Sequence, residues 1–142
     1  MGYWLVMIRT LASIARSLVF YAVFYLGSVP YVLASLALMK VSQGAFRWVV
    51  REWSHWHSLC CRFLLGIRVE LESPVFRSGV LYAVKHEAFF EAIDMPWLFL
   101  NPVVFAKAEL LRIPGWGFAG ARFGLIGVDR EGGARALRAM LT

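Results

Sequence analysis

Cysteine is nearly missing from this chain: of 142 residues only Cys60 and Cys61 are cysteine, and they are neighbours. Adjacent cysteines rarely bridge each other, because disulfide geometry is demanding. Two cysteines make no disulfide framework, and a reducing, cytoplasm-facing setting with both thiols as small apolar filler is the expectation. Acids are scarce at one end. Residues 1–68 carry seven Lys/Arg against the single acid Glu52, whereas residues 69–142 carry eight of each. There is no internal repeat, low-complexity tract or long linker, and the length allows one domain at most. What the chain has in excess is apolar surface: 60% hydrophobic residues and a mean hydropathy of +0.63. That is above the usual share of a soluble domain, so the excess must face lipid, a partner or a large core. The basic half is also the greasy half, which favours an anionic membrane surface and argues against nucleic acid.

The longest uncharged run is LVFYAVFYLGSVPYVLASLALM, residues 18–39. A straight helix of that length covers about 33 Å, close to a bilayer core. Arg9 and Arg16 precede it and Lys40 follows. Gly27-Ser28 and Pro30 interrupt it, so it reads either as one kinked span or as a hairpin turning at Gly27–Pro30 and dipping into one leaflet. Cations on both flanks suit the hairpin. A cleaved signal peptide fits less well, because the run is too long and Ser35-Leu36-Ala37 is a poor cleavage site.

Residues 45–65 place Arg47, Arg51, His55, Ser58 and Arg62 on one helical face. Phe46, Val49, Val50, Trp53, Trp56, His57, Cys60, Phe63 and Leu64 fall on the opposite face. A basic stripe opposite an aromatic one suits an interfacial membrane helix, with an ordinary amphipathic helix on a core as the alternative. The same geometry separates His55 from His57, leaving His57, Cys60 and Cys61 without a fourth ligand, so no metal site is expected. Residues 1–66 are therefore read as a membrane anchor.

Residues 67–142 read as an α/β unit. IRVELES alternates as a half-buried strand does, and GVLYAVK (79–85) is a buried strand by length and content. EAFFEAIDMPWLFL reads as a short helix interrupted or ended near Pro96, and VVFAK (103–107) as another buried strand. ELLRIPGWGFAGARFG is helical in two pieces around Pro114-Gly115, LIGVD is a third strand, and GGARALRAML opens a helix. Strands alternating with helices imply a largely parallel sheet, with ligands beyond the strand carboxyl ends. His86, Lys107 and Arg130 fall there.

A histidine at a strand end can act as a general base once a carboxylate fixes its tautomer. Glu91, about one helical turn on, can fold back to His86; Glu87 points elsewhere and Asp94 is further along. No G-x-S-x-G elbow and no suitable cysteine accompany this strand, which favours direct transfer over a protein-bound intermediate. From spacing alone, a strand-end histidine that satisfies backbone groups is the simpler account.

The wider text adds to that spacing. KHEAFFE, residues 85–91, resembles the His-x4-Asp/Glu block of the lysophosphatidate acyltransferase (1-acylglycerol-3-phosphate O-acyltransferase) family. FAKAELLRIPGWGFAGARFGLIGVDR, residues 105–130, resembles that family's second block: Lys-x-Glu-Leu after a strand, Pro-x-x-Gly opening a helix, and an apolar strand ending in Asp-Arg. The resemblance implies membrane-anchoring helices followed by a glycerolipid-acyltransferase-type α/β domain. It implies that His86 takes the proton from the free hydroxyl of lysophosphatidate. That oxygen attacks the thioester of acyl-CoA or acyl carrier protein, giving phosphatidate with no further cofactor. Glu91, where the family more often has Asp, would orient His86. Lys107 and Arg130 are candidates for the substrate phosphate, with plain surface cations as the alternative. The partners implied are membrane lipids, lysophosphatidate and the acyl donor, and the catalytic part would face the cytoplasm.

The family's third block, Glu-Gly-Thr-Arg, has only an imitation in Glu131-Gly132-Gly133-Ala134-Arg135, which follows Asp129-Arg130 too closely. The α/β domain is therefore expected to be incomplete, and the 142-residue chain to have little activity alone. A non-catalytic membrane protein explains residues 1–65 equally well, and an acyltransferase for another lysolipid or for glycerol-3-phosphate would share the catalytic block.

Overall fold

A computed structural model describes residues 2–76, 79–85, 87–100, 102–129 and 138. His86, Arg130, the stretch 131–135 and most of the helix expected from Gly132 lie outside the described residues.

The first helix, α1 (Gly2–Leu38), runs unbroken for 37 residues, about 55 Å. It passes straight through Gly27, Ser28 and Pro30, so the hairpin expected there is not formed. The reason is packing. A Cβ on Gly27 would come within 2.5 Å of the Trp56 ring, so glycine is what lets the second helix approach. Ser28 Oγ donates to the Phe24 carbonyl (2.7 Å) and accepts from Trp53 Nε1 (2.9 Å). Small and polar residues that look like a turn in the text are the floor of a helix–helix contact. Pro30 lies inside the helix without ending it, at the cost of one backbone hydrogen bond and crowding against the carbonyl one turn back.

The chain turns at Met39–Val41 instead, and Ser42 starts α2 (Gln43–Cys60) by accepting the Ala45 N–H at 3.3 Å. Such a cap is worth about 1 kcal/mol. Helix α2 runs back antiparallel along α1: Phe46 meets Met39, Trp53 meets Ser28, and His57 lies between Phe20 and Phe24. A π-helical turn, Cys61–Leu65, follows, ending on Gly66 in the left-handed region. Arg16 Nε donates to the Leu64 carbonyl at 2.9 Å and closes the pair. The aromatic stripe of α2 is thus covered by protein. Phe20, Phe24, Cys60 and Cys61 form one core cluster with Trp53 and Trp56 packed on it. Periodicity reports that a helix face is covered, and here the cover is α1.

Only one narrow face of α1 is used this way. Phe20, Phe24 and Ser28 are buried, whereas Leu18, Leu26, Leu33 and Leu36 are exposed, as is every residue from Tyr3 to Ala15. Among the described residues this is the one helix long and apolar enough to cross a membrane.

Beyond Gly66 the expected strands 67–73 and 79–85 are not strands. Both runs lack regular structure and expose Leu71, Val80 and Leu81. Alternation and apolar content permit an extended chain, but a strand also needs a partner ladder. Helix α3 (Phe89–Leu98) follows and carries Pro96 inside it without ending there. Strands β1 (Phe105–Lys107) and β2 (Ile126–Val128) pair in parallel, Phe105 opposite Ile126 and Lys107 opposite Val128. The parallel expectation therefore holds for two short strands. Within VVFAK the strand is Phe105–Lys107, and exposed residues alternate with half-buried ones instead of being buried throughout.

The crossover between them comes in two pieces, as expected: a 3₁₀ turn at Leu110–Arg112 and α4 (Trp116–Phe123). Phe123 enters a second core cluster with Met39 and Phe46, and Arg122 Nε donates to the Met39 carbonyl at 2.9 Å. These contacts fasten the βαβ unit to the α1–α2 corner.

Candidate functional site

The sequence candidates sort into two places and two gaps. Glu91 is in the first turn of α3. Its Oε2 accepts the Ala88 N–H at 3.0 Å and its Oε1 the Glu87 N–H at 3.3 Å. The carboxylate is therefore folded back over the backbone that follows His86 in the sequence. A carboxylate offers about four acceptor positions, so these two bonds do not exhaust it. Lys107 is exposed at the carboxyl end of β1, and the parallel register sets it beside Val128, one residue before Asp129. The Ala108 N–H continues the pairing to the Val128 carbonyl at 3.0 Å. Lys107 and Val128, from opposite halves of the second sequence block, thus pair at the carboxyl end of the two strands. His86 and Arg130 lie outside the described residues.

A second constellation lies where α3 crosses α2. Asp94 is fully buried. Its Oδ1 is 2.6 Å from His57 Nδ1 and its Oδ2 accepts from Ser58 Oγ at 2.8 Å. With its Nδ1 side on the carboxylate, His57 turns Nε2 to the Cys61 thiol, 3.5 Å away. One turn earlier on α2, Ser54 Oγ accepts the Trp97 N–H at 3.2 Å. His55 is on another side, stacked flat on Trp97 at 3.7 Å between ring centroids. Among the described residues no group of three His, Cys, Asp or Glu side chains is placed to hold a metal ion.

Cysteine, histidine and aspartate in this order have the connectivity of a nucleophilic relay. The electrostatics run the other way. Cys61 is 2% exposed, and burial first, then Asp94, then Cys60 push its thiol from 9.0 up to about 12. An activated thiol needs the opposite shift and an open approach. Burial also raises Cys60. Both sulfurs act as core atoms, and the network is a clamp between helices.

The pH consequence has a definite sign. The unfolded chain ionises Cys61 from about pH 9, while the folded chain keeps the proton to about 12. The stabilisation is complete below pH 9 and is lost as pH rises from 9 to 12. Urea midpoints taken between about pH 8 and about pH 10.5 should fall more steeply for the wild type than for Cys61→Ala. Equal slopes would mean that the thiol titrates alike in both states.

Sequence reading grouped His57 with Cys60 and Cys61, and the structure does set His57 against Cys61, but it weighed Asp94 only as a distant carboxylate for His86 and not as a partner of His57. His57 and Cys61 are four apart on one face of a helix, which is a legible signal. Asp94 is 37 residues from His57, and nothing local announces that pairing.

A cavity of about 400 Å³ opens beside the clamp, walled by Ser58, Arg62, Arg68, Phe90 and Trp97 among others. Phe90 directly precedes Glu91, so the cavity adjoins the start of α3.

No family model, no curated protein and no solved structure matches this chain.

Proposed function

We propose that this protein is a membrane-associated acyltransferase. It moves an acyl group from a CoA or carrier-protein thioester to the free hydroxyl of lysophosphatidate. His86 is the general base, Glu91 orients it, and Lys107 and Arg130 take the substrate phosphate. The observation that carries the reading is the Glu91 carboxylate, folded back onto the Glu87 and Ala88 amides. That is the direction in which a carboxylate must point to steady a histidine at position 86. The pairing of Lys107 with Val128 at the carboxyl end of the two strands supports the same reading, since ligands of parallel sheets collect there.

The membrane part follows from the helix pair. If residues 18–39 of α1 crossed a bilayer, α2 would be drawn in beside them with Arg47, Arg51 and Glu52. Each such charge costs about 2.5–3.5 kcal/mol at the centre of a membrane. The pair instead lies at the interface, with the exposed apolar face of α1 in one leaflet. Its basic flanks favour the cytoplasmic side, where the active part would face. Lysophosphatidate and phosphatidate are bilayer lipids, so the enzyme meets both in place.

The test is acyl transfer in membranes that carry the full-length gene product, with labelled acyl-CoA or acyl carrier protein and lysophosphatidate. Phosphatidate should form, and His86→Ala should lower the rate about 10²–10⁴-fold. Transfer indifferent to His86→Ala, or none from either donor, sinks the reading. Competition with glycerol-3-phosphate and with other lysolipids identifies the acceptor.

A further inference from the structure

We infer that Asp94 is a positioning residue for this acyl transfer: with His57 and Ser58 it fixes α3, and through α3 the Glu91 carboxylate that the proposed function assigns to orienting His86. The inference rests on the acyl-transfer reading. Its geometric basis is independent of that reading.

Helix α3 has ten residues and carries a proline. A helix that short does not stand alone in water and keeps its shape only while docked. Its docking to α2 is polar at the centre. Asp94 is fully buried, and each of its oxygens has its own partner on α2, His57 at 2.6 Å and Ser58 at 2.8 Å. Two directed bonds to one carboxylate set both the rotation and the axial register of α3. Apolar packing alone tolerates small slips, because dispersion contacts carry little directional preference. A buried polar group in a helix interface costs desolvation, and fixing one register over others is its best-attested use.

Asp94 and Glu91 are three residues apart, so they share a side of the helix one turn from each other. A change in the rotation of α3 therefore moves Glu91 by the same angle. Glu91 holds the Glu87 and Ala88 amides, and Glu87 is bonded to His86. Phe90 packs on the His57 ring at 5.4 Å between centroids, which ties the residue just before Glu91 to the same clamp. Asp94 thus acts through Glu91 and touches no substrate.

The experiment compares wild type, Asp94→Asn and Asp94→Leu in the membrane acyl-transfer assay, with kcat and KM measured for both substrates. Asparagine keeps the shape and can still hydrogen-bond both His57 and Ser58 Oγ. Leucine keeps the volume and removes both bonds. The expected result for Asp94→Leu is a kcat lowered about 10–100-fold with each KM within about threefold, the signature of a lost orientation. Asp94→Asn should restore kcat to within about threefold of wild type. If Asp94→Leu fails to fold, Ser58→Ala removes one bond from the rim of the clamp and should lower kcat several-fold at unchanged KM. Asp94→Leu with wild-type kcat, or Asp94→Asn as impaired as Asp94→Leu, overturns the positioning role while leaving the acyl-transfer reading intact. A wild type that forms no phosphatidate overturns both.

Discussion

Gly117→Ala is expected to cost about 3 kcal/mol or more of folding stability, far above the ordinary effect of one methyl group. Gly117 is in the first turn of α4, directly beneath the 3₁₀ turn that precedes it. A Cβ there would overlap the carbonyl oxygen of Leu111. That atom is backbone and cannot swing aside. Its neighbour Ile113 is also held, because its carbonyl accepts the Gly117 N–H at 2.8 Å. Relief would have to come from α4 moving away from the turn, which would withdraw Phe123 from its cluster with Met39 and Phe46. The contrast is Gly44→Ala in the first turn of α2, where the nearest atom to a new Cβ is Ser42 Oγ at 4.0 Å. That change should stabilise by up to about 1 kcal/mol, the difference in helix propensity. Denaturation midpoints of both variants check the pair, and a Gly117→Ala protein as stable as wild type would show that the turn is not rigid.

Asp94→Ala is the second large effect, about 3–5 kcal/mol. The carboxylate is fully buried between two helices. Removing it strands Nδ1 of His57, itself 4% exposed, and frees the Ser58 hydroxyl from its partner. It also leaves a void the size of a carboxylate. Ser58→Ala removes one bond at a part-buried site and should cost only about 1 kcal/mol. Urea or thermal midpoints of the two variants, compared with wild type, give the ratio. Equal losses would mean that the clamp contributes little beyond the shape of α3.

The features that the text disclosed are those with a local cause. The crossover between the strands was legible because Pro114-Gly115 punctuates it, and the structure has Gly115 in the left-handed region there. Glu91 was legible as a carboxylate able to fold back, since an acid in the first helical turn can bond the amides behind it. The aromatic stripe of α2 was legible as a covered face. What covers it was not, because period alone marks the boundary between two environments and does not name either. The same blindness hid the contact face of α1, where Phe20, Phe24 and Ser28 differ little in polarity from the exposed residues around them. The segments 67–73 and 79–85 show a related gap: extended propensity is local, but a ladder partner is not.

The sequence by itself determined that a long apolar segment with basic flanks comes first, that an amphipathic helix follows, and that strands joined by a broken helix run parallel. Periodicity, charge placement and turn chemistry act within a few residues of their cause. Only the tertiary structure decided that Gly27–Pro30 is a helix contact and not a turn. It alone joined Asp94 to His57 and Ser58 and placed the Cys61 thiol against that pair. Those outcomes depend on which side chains meet across tens of residues, and burial, hydrogen bonding and pKa are properties of that meeting.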